Sequence, residues 1–238
     1  MTLAGGGSPN YRELAEDLIA LLEREKRRGR EFLRLGEAGR RALTVLEGKT
    51  GSGLLIEEVN GQIRQCRRCP LGFERSRTVP GEGPHGAAIM VVGEGPGEEE
   101  DRTGRPFVGA AGELLTRMLQ AIDLPRGQVY IGNVIKCRPP ENRAPAPDEI
   151  QACFPFLQEQ IRIIQPRLLV ALGGVAARAL TRTEKKISEL RGKSFTFDGR
   201  LVIPTYHPAY LLRSPEFKRE AWEDLKKIRR ELDRLNGE

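Results

Sequence analysis

The sequence predicts an α/β fold: a three-layer α/β/α sandwich around a central, mainly parallel four-stranded sheet, with an N-terminal helical extension. Three observations predict it. Four short apolar runs, at 87–92, 128–133, 168–172 and 201–206, have the length of buried strands. Segments with helical spacing near 113–122, 148–164, 174–182 and 216–235 alternate with them, as in a parallel sheet covered on both faces. The first run ends in Gly93-Glu94-Gly95-Pro96-Gly97, a glycine turn at the carboxyl end of a strand, where open α/β sheets place their ligands.

Length and composition set the frame. The chain has 238 residues, 39% of them apolar, and a formal charge of +6. That length suits one main domain plus an appendage. No apolar run is long enough to span a membrane. The segment MTLAGGGSPN lacks a basic stretch followed by an apolar core, so a cytoplasmic protein is expected. The basic balance suits a polyanionic partner. Four cysteines in a reducing compartment point to a metal or cluster site before disulfides.

Taken in order, residues 1–53 form the helical extension. Ser8 and Pro9 suit a helix start, and Leu14, Leu18, Leu21 and Leu22 make one apolar face among many charges. Lys49 to Gly53 reads as a linker. The main domain, 54–238, begins with an amphipathic helix from Leu54 to Gln65 that runs into Cys66-Arg67-Arg68-Cys69-Pro70. A glycine-proline loop over 79–86 leads to the first strand. After the glycine turn come the acids Glu98, Glu99, Glu100 and Asp101, then Arg105-Pro106-Phe107, which offers a ring from a rigid turn. Right-handed crossovers between parallel strands bring the loops after them to one rim. Three of those loops carry unusual chemistry: the glycine turn, Asn133 and His207.

Cys66-x-x-Cys69, Cys137 and Cys153 are all the cysteines of the chain. A Cys-x-x-Cys pair chelates from a single turn, and either a four-thiolate zinc or a [4Fe–4S] cluster fits such a set. The second Cys-x-x-Cys of a zinc ribbon is absent, which favours the cluster. Gly192-Lys193-Ser194 imitates the end of a phosphate loop, but Ile187 stands where the loop needs glycine and no strand precedes it. His85, in its glycine-proline loop, reads as a surface or packing residue. His207 is different. It follows the last strand, Pro208 restricts its backbone, and Tyr210-Leu211-Leu212-Arg213 sets an apolar tip beside a cation, as in a wedge pushed into a base stack.

Jointly these stretches resemble the family 4 uracil-DNA glycosylases, the iron–sulfur branch of their superfamily. Gly93-Glu94-Gly95-Pro96-Gly97-x-x-Glu100-Asp101, continued by Gly104-x-Pro106-Phe107-Val108-Gly109, is similar to the family's first motif. His207-Pro208-Ala209 is similar to its second. The Cys-x-x-Cys-Pro entry, Asn133 at its strand end, and Lys136-Cys137-Arg138-Pro139 match as well. The resemblance covers roughly 54–230 and does not reach the extension. It implies a hydrolase that removes uracil from single- or double-stranded DNA, bound as a monomer near the nucleoid. Cys66, Cys69, Cys137 and Cys153 would hold the [4Fe–4S] cluster.

On that reading Phe107 stacks on the flipped base, N–H groups of Glu94 and Gly95 hold O2, and Asn133 reads the O4/N3 edge. Glu100 excludes thymine at C5, and neutral His207 donates to O2 as charge builds. Glu94 and Asp101 join His207 as catalytic candidates. The residues leave the water-activating carboxylate open among Glu94, Glu100 and Asp101. A sister class that traps uracil with a histidine on a basic inserted loop is disfavoured, because 138–149 reads RPPENRAPAPDE and Glu94 replaces its glutamine. Two other classes stand beside this reading. An iron–sulfur electron carrier would show a reversible couple and release no base. A zinc-stabilised nucleic-acid-binding module would lack catalysis.

Overall fold

A computed structural model describes residues 51–237. The extension expected over 1–53 therefore lies almost wholly outside the described residues. Of the expected linker, Gly51, Ser52 and Gly53 are instead the first turn of helix α1, Gly51–Gln65.

The sheet has five strands: β1 (Ile89–Gly93), β2 (Tyr130–Asn133), β3 (Leu168–Leu172), β4 (Phe195–Phe197) and β5 (Arg200–Thr205), in the order β2-β1-β3-β5-β4. Four pair in parallel, as the alternating pattern predicts. The fifth, β4, is an antiparallel edge strand paired with β5. Its hairpin turns on Asp198 and Gly199, both at positive φ (46° and 77°), the backbone that an Asp-Gly hairpin turn requires.

Strand residues alternate between two cores, which is what makes three layers. Met90, Val92, Tyr130, Leu169, Ala171 and Val202 face one side. There they meet α1, α5 (Pro147–Ile164) and α6 (Gly173–Thr181). Ile89, Val91, Ile131, Val170, Leu172 and Ile203 face the other. That side is covered by α4 (Ala110–Gln120) and α9 (Lys218–Asn236). Both faces of each parallel strand are thus dry, and the strands read as continuous apolar runs for that reason. Short helices fill the connections: α2 (Leu71–Glu74), α3 (Glu98–Thr103), α7 (Ile187–Leu190) and α8 (Pro208–Arg213).

The carboxyl ends of the parallel strands share one rim. Gly93 pairs with Asn133, and Leu172 with Thr205. The Thr205 end is pinned from behind: its hydroxyl donates to buried Asp224 at 2.7 Å, and Arg191 holds the same carboxylate at 2.6 and 3.0 Å. The residues that follow, Tyr206 and His207, inherit a fixed starting point.

Candidate active site

The site begins with a missing side chain. A Cβ on Gly93 would lie 2.4 Å from Asn133 Oδ1 and 2.5 Å from Phe107 Cζ. Only glycine lets the end of β1 bring those two groups together. Asn133 is 1% exposed. Its Oδ1 is the single buried side-chain polar atom without a hydrogen-bond partner among the described residues. Buried acceptors are nearly always satisfied, so an orphan on a cavity wall marks where a ligand donor belongs.

Phe107 is held in an unfavourable backbone, at φ 52°. Several groups enforce it. Arg126 donates to the carbonyls of Pro106 and Phe107 at 2.6 and 2.9 Å. The Glu100 carboxylate accepts from the N–H groups of Val108 and Gly109 at 2.8 and 3.1 Å, and from Gly97 N–H at 3.1 Å. A Cβ on Gly112 would sit 1.9 Å from the Phe107 carbonyl oxygen, so that glycine gives the turn its room. A non-glycine residue in this region is a cost that the surroundings must over-determine, as such residues in functional sites often are.

His207 caps α8. Its Nδ1 accepts from Ala209 N–H at 3.1 Å, which fixes the ring's tautomer: the proton of the neutral imidazole sits on Nε2. The ring lies 5.6 Å from Phe107, tilted by 32°. Burial, with help from the nearby Arg213 cation, pushes the imidazole down to about 4, against the pull of Glu100. At neutral pH it is an uncharged N–H donor. Glu94 responds in the opposite sense: burial pushes its carboxyl up, partly offset by Arg178.

One cavity is walled by Glu94, Gly95, Glu100, Phe107, Asn133 and His207. All six residues that the sequence reading assigned to substrate therefore meet. Gly95 is also a required glycine, since a Cβ there would come within 2.6 Å of Ile135 Cγ1. Arg178 shares the wall beside Glu94 and carries no sequence motif. Its signal is purely tertiary: the packing of α6 against the sheet puts it there.

Two expectations are corrected. Asp101 does not reach the cavity. It is buried, and its carboxylate accepts from Ser76 N–H at 3.1 Å and Arg77 N–H at 3.2 Å, on the other side of α3 from Glu100. It braces the loop at 76–77 and is not among the residues that wall the cavity. The proposed wedge also divides. Leu211 is 1% exposed and belongs to the core. Tyr210 packs in a ring triad with Tyr206 and Phe217, each pair 5.3 Å apart. Only Leu212 and Arg213 are exposed.

The four cysteines line a second cavity, with Arg68, Arg75 and Lys136 around them. Arg75 donates to Cys137 Sγ at 3.1 Å, and Lys136 N–H to Cys153 Sγ at 3.2 Å. Burial pushes the thiols of Cys69, Cys137 and Cys153 up, the last to about 12. Among the described residues, no group of three or more His, Cys, Asp or Glu is arranged to hold a single metal ion.

The histidine's position has a pH consequence. A folded-state value near 4 against 6.5 in the unfolded chain means that the unfolded chain binds more protons between those limits. Stability conferred at this site is therefore full above about pH 6.5 and declines as pH falls towards 4. Urea midpoints of the protein and of His207→Asn, compared from pH 7 to pH 4, are expected to converge as the pH drops. Parallel curves would contradict the assignment.

Residues 80–226 match the family described as the uracil DNA glycosylase superfamily. The chain is similar to a type-4 uracil-DNA glycosylase of Thermotoga maritima, 49% identical over 179 residues, covering 74% of this chain and 93% of that one. It is similar to another from Sulfurisphaera tokodaii, 46% identical, covering 73% and 83%. A type-5 uracil-DNA glycosylase of Pyrobaculum aerophilum is 33% identical, covering 63% and 73%.

Proposed function

This chain belongs to the uracil DNA glycosylase superfamily, and we infer that it is a DNA-repair hydrolase of the type-4 kind. It cleaves the N-glycosidic bond of uracil in DNA and leaves an abasic site. The observation that carries this reading is the orphan Oδ1 of Asn133, a buried acceptor on the cavity wall. Uracil offers an N3–H donor where cytosine offers an acceptor.

The chemistry follows from the residues. An enzyme acting on a base takes it out of the stack, so uracil enters the cavity flipped. Phe107 stacks on it from its braced turn. Asn133 accepts from N3–H, and the backbone of Glu94 and Gly95 faces O2. His207 Nε2–H donates to O2 as negative charge gathers on the departing ring. A preorganised donor of this kind lowers the barrier because its bond strengthens in the transition state. With Asp101 outside the cavity and the Glu100 carboxylate engaged by Gly97, Val108 and Gly109, we propose Glu94 as the carboxylate that orients water or stabilises the cationic sugar. Its raised value eases its use as a proton acceptor. Glu100 shapes the C5 side indirectly, through the Phe107 turn that its carboxylate holds.

The thiolates of Cys66, Cys69, Cys137 and Cys153 would hold a [4Fe–4S] cluster. When bound, that group supplies a covalent tie between the segment around α1 and α2, the residues after β2, and α5. The donor set fits: the four cysteines line one cavity, and Arg75 and Lys136 favour the thiolates of Cys137 and Cys153. Metal binding deprotonates thiols that burial otherwise keeps neutral. Elemental analysis of anaerobically purified protein is expected to find iron and sulfide. Stoichiometric zinc without iron would overturn the assignment. We further propose a cytoplasmic, nucleoid-associated protein that acts as a monomer on single- or double-stranded DNA.

The decisive assay is uracil release from a uracil-containing oligonucleotide without added metal or nucleotide. Alkali-labile sites should appear at uracil and not at thymine. Intact strands after treatment with the folded, cluster-bearing protein would refute the reading.

A further inference from the structure

A groove apart from the catalytic cavity remains unexplained by base chemistry. Arg64, Arg67, Arg75 and Arg77 line it, with Glu57 as the one carboxylate among its lining residues. On it stands Phe73, 66% exposed, with the Arg67 guanidinium 5.0 Å from the ring centroid. Phe73 is by a clear margin the most exposed large apolar side chain among the described residues. Arg64 has an exposed contact with Glu57 at 3.5 Å, while Arg67 and Arg77 have no carboxylate partner among the described residues.

The groove is built and not accidental. Arg75 donates to the Arg64 carbonyl and to Cys137 Sγ, both at 3.1 Å, and so fixes the floor to the cysteine cluster. A Cβ on Gly72 would come within 2.9 Å of Arg67 Cα, so the bend from Cys66 to Phe73 depends on that glycine. Asp101 holds the Ser76–Arg77 backbone from α3. The neighbouring residue on that helix, Glu100, braces Phe107 in the active site. The buried acid that does no chemistry thus couples the groove to the catalytic turn.

We propose that this groove is a second DNA site, which takes single-stranded DNA flanking the uracil. Phosphates lie along Arg64, Arg67 and Arg77, and an unpaired base stacks on Phe73. A cationic track with an exposed aromatic is how proteins hold single strands without reading sequence. A paired base cannot offer its face to Phe73, so a duplex gains only the charge. The proposal rests on the glycosylase reading for its choice of DNA as partner.

The test separates the two. Binding of a long uracil-free single strand is measured by anisotropy across a salt series, and excision is measured on a short uracil oligonucleotide that fills only the catalytic cavity. Phe73→Ala should weaken long-strand binding about tenfold. Arg67→Ala with Arg77→Ala should lower the slope of log K against log salt by about 1.4, at about 0.7 per phosphate contact. All three side chains are solvent-exposed, so folding should be unaffected, and short-substrate excision should be unchanged. Unchanged long-strand affinity and slope would overturn the proposal and leave the face to another partner. Equal losses on single strand and duplex would overturn the stacking role. If wild-type protein releases no uracil yet the variants still lose long-strand affinity, the groove stands and the glycosylase reading falls.

Discussion

Replacing His207 with alanine is expected to slow uracil release by about a hundred- to a thousandfold while weakening DNA binding far less. That range corresponds to the roughly 2.7–4 kcal/mol typical of losing one preorganised donor at a developing oxyanion. The geometry fixes what is lost. Nδ1 is engaged by Ala209 N–H, so only Nε2–H is free to meet a base. Burial keeps the ring neutral, so it gives a hydrogen bond and not a proton. A neutral donor gains strength as O2 becomes anionic, which concentrates the effect in the chemical step. The substitution also removes the helix cap, a stability cost of about 0.5–2 kcal/mol that a melting curve will register separately. The measurement is the single-turnover rate at saturating enzyme. An unchanged rate would reduce His207 to the cap of α8.

Asn133→Asp is expected to lower the ratio of uracil to cytosine excision by about ten- to a hundredfold, the worth of one bidentate base contact of about 1–3 kcal/mol. On the proposed reading, the amide pairs with N3–H through Oδ1 and with O4 through its amino group. A carboxylate keeps the acceptor and loses the donors. A site built on such pairing leaves buried groups unmatched when the wrong partner enters, which is the costly case. Single-turnover rates on matched uracil and cytosine oligonucleotides, for Asn133→Asp and Asn133→Ala, decide it. If both leave the uracil rate and the ratio unchanged, the amide is only a strand end.

Much of this site was legible because its residues sit where the backbone leaves no choice. A strand followed by Gly-x-Gly-Pro-Gly is a sharp turn wherever it occurs. Asn133 and His207 were found because each ends or follows a strand, and parallel strands deliver such residues to one rim. What was not legible depends on helical phase. Glu100 and Asp101 are neighbours in a run of acids, but successive helical residues point about 100° apart. One therefore faces the catalytic turn and the other the Ser76–Arg77 loop. Leu211 and Leu212 divide into core and surface for the same reason. Arg178 could not be found at all, since its place beside Glu94 comes from how α6 lies on the sheet. Strand β4 was not foreseen: Asp198-Gly199 is a hairpin turn, but three residues are too few to carry a periodicity.

The pairing of Gly93 with Asn133 across β1 and β2 has a consequence for what changes this enzyme can survive. Side chains alternate faces along a strand, so moving β2 by one residue against β1 would turn the amide of Asn133 to the opposite side of the sheet. On the proposed reading, base choice is thus written in strand alignment as much as in side-chain identity. A single-residue insertion in the tight connection over 124–128 leaves every catalytic residue in the sequence. If the strand slips to absorb it, Tyr130 and Ile131 exchange cores along with the amide, so the insertion is expected to cost stability as well as base choice. Length variation in that connection should come in forms that preserve the alignment, such as loops that bulge outward before Val129. Variants recovered from an insertion library and sorted for retained uracil release would show which lengths do so.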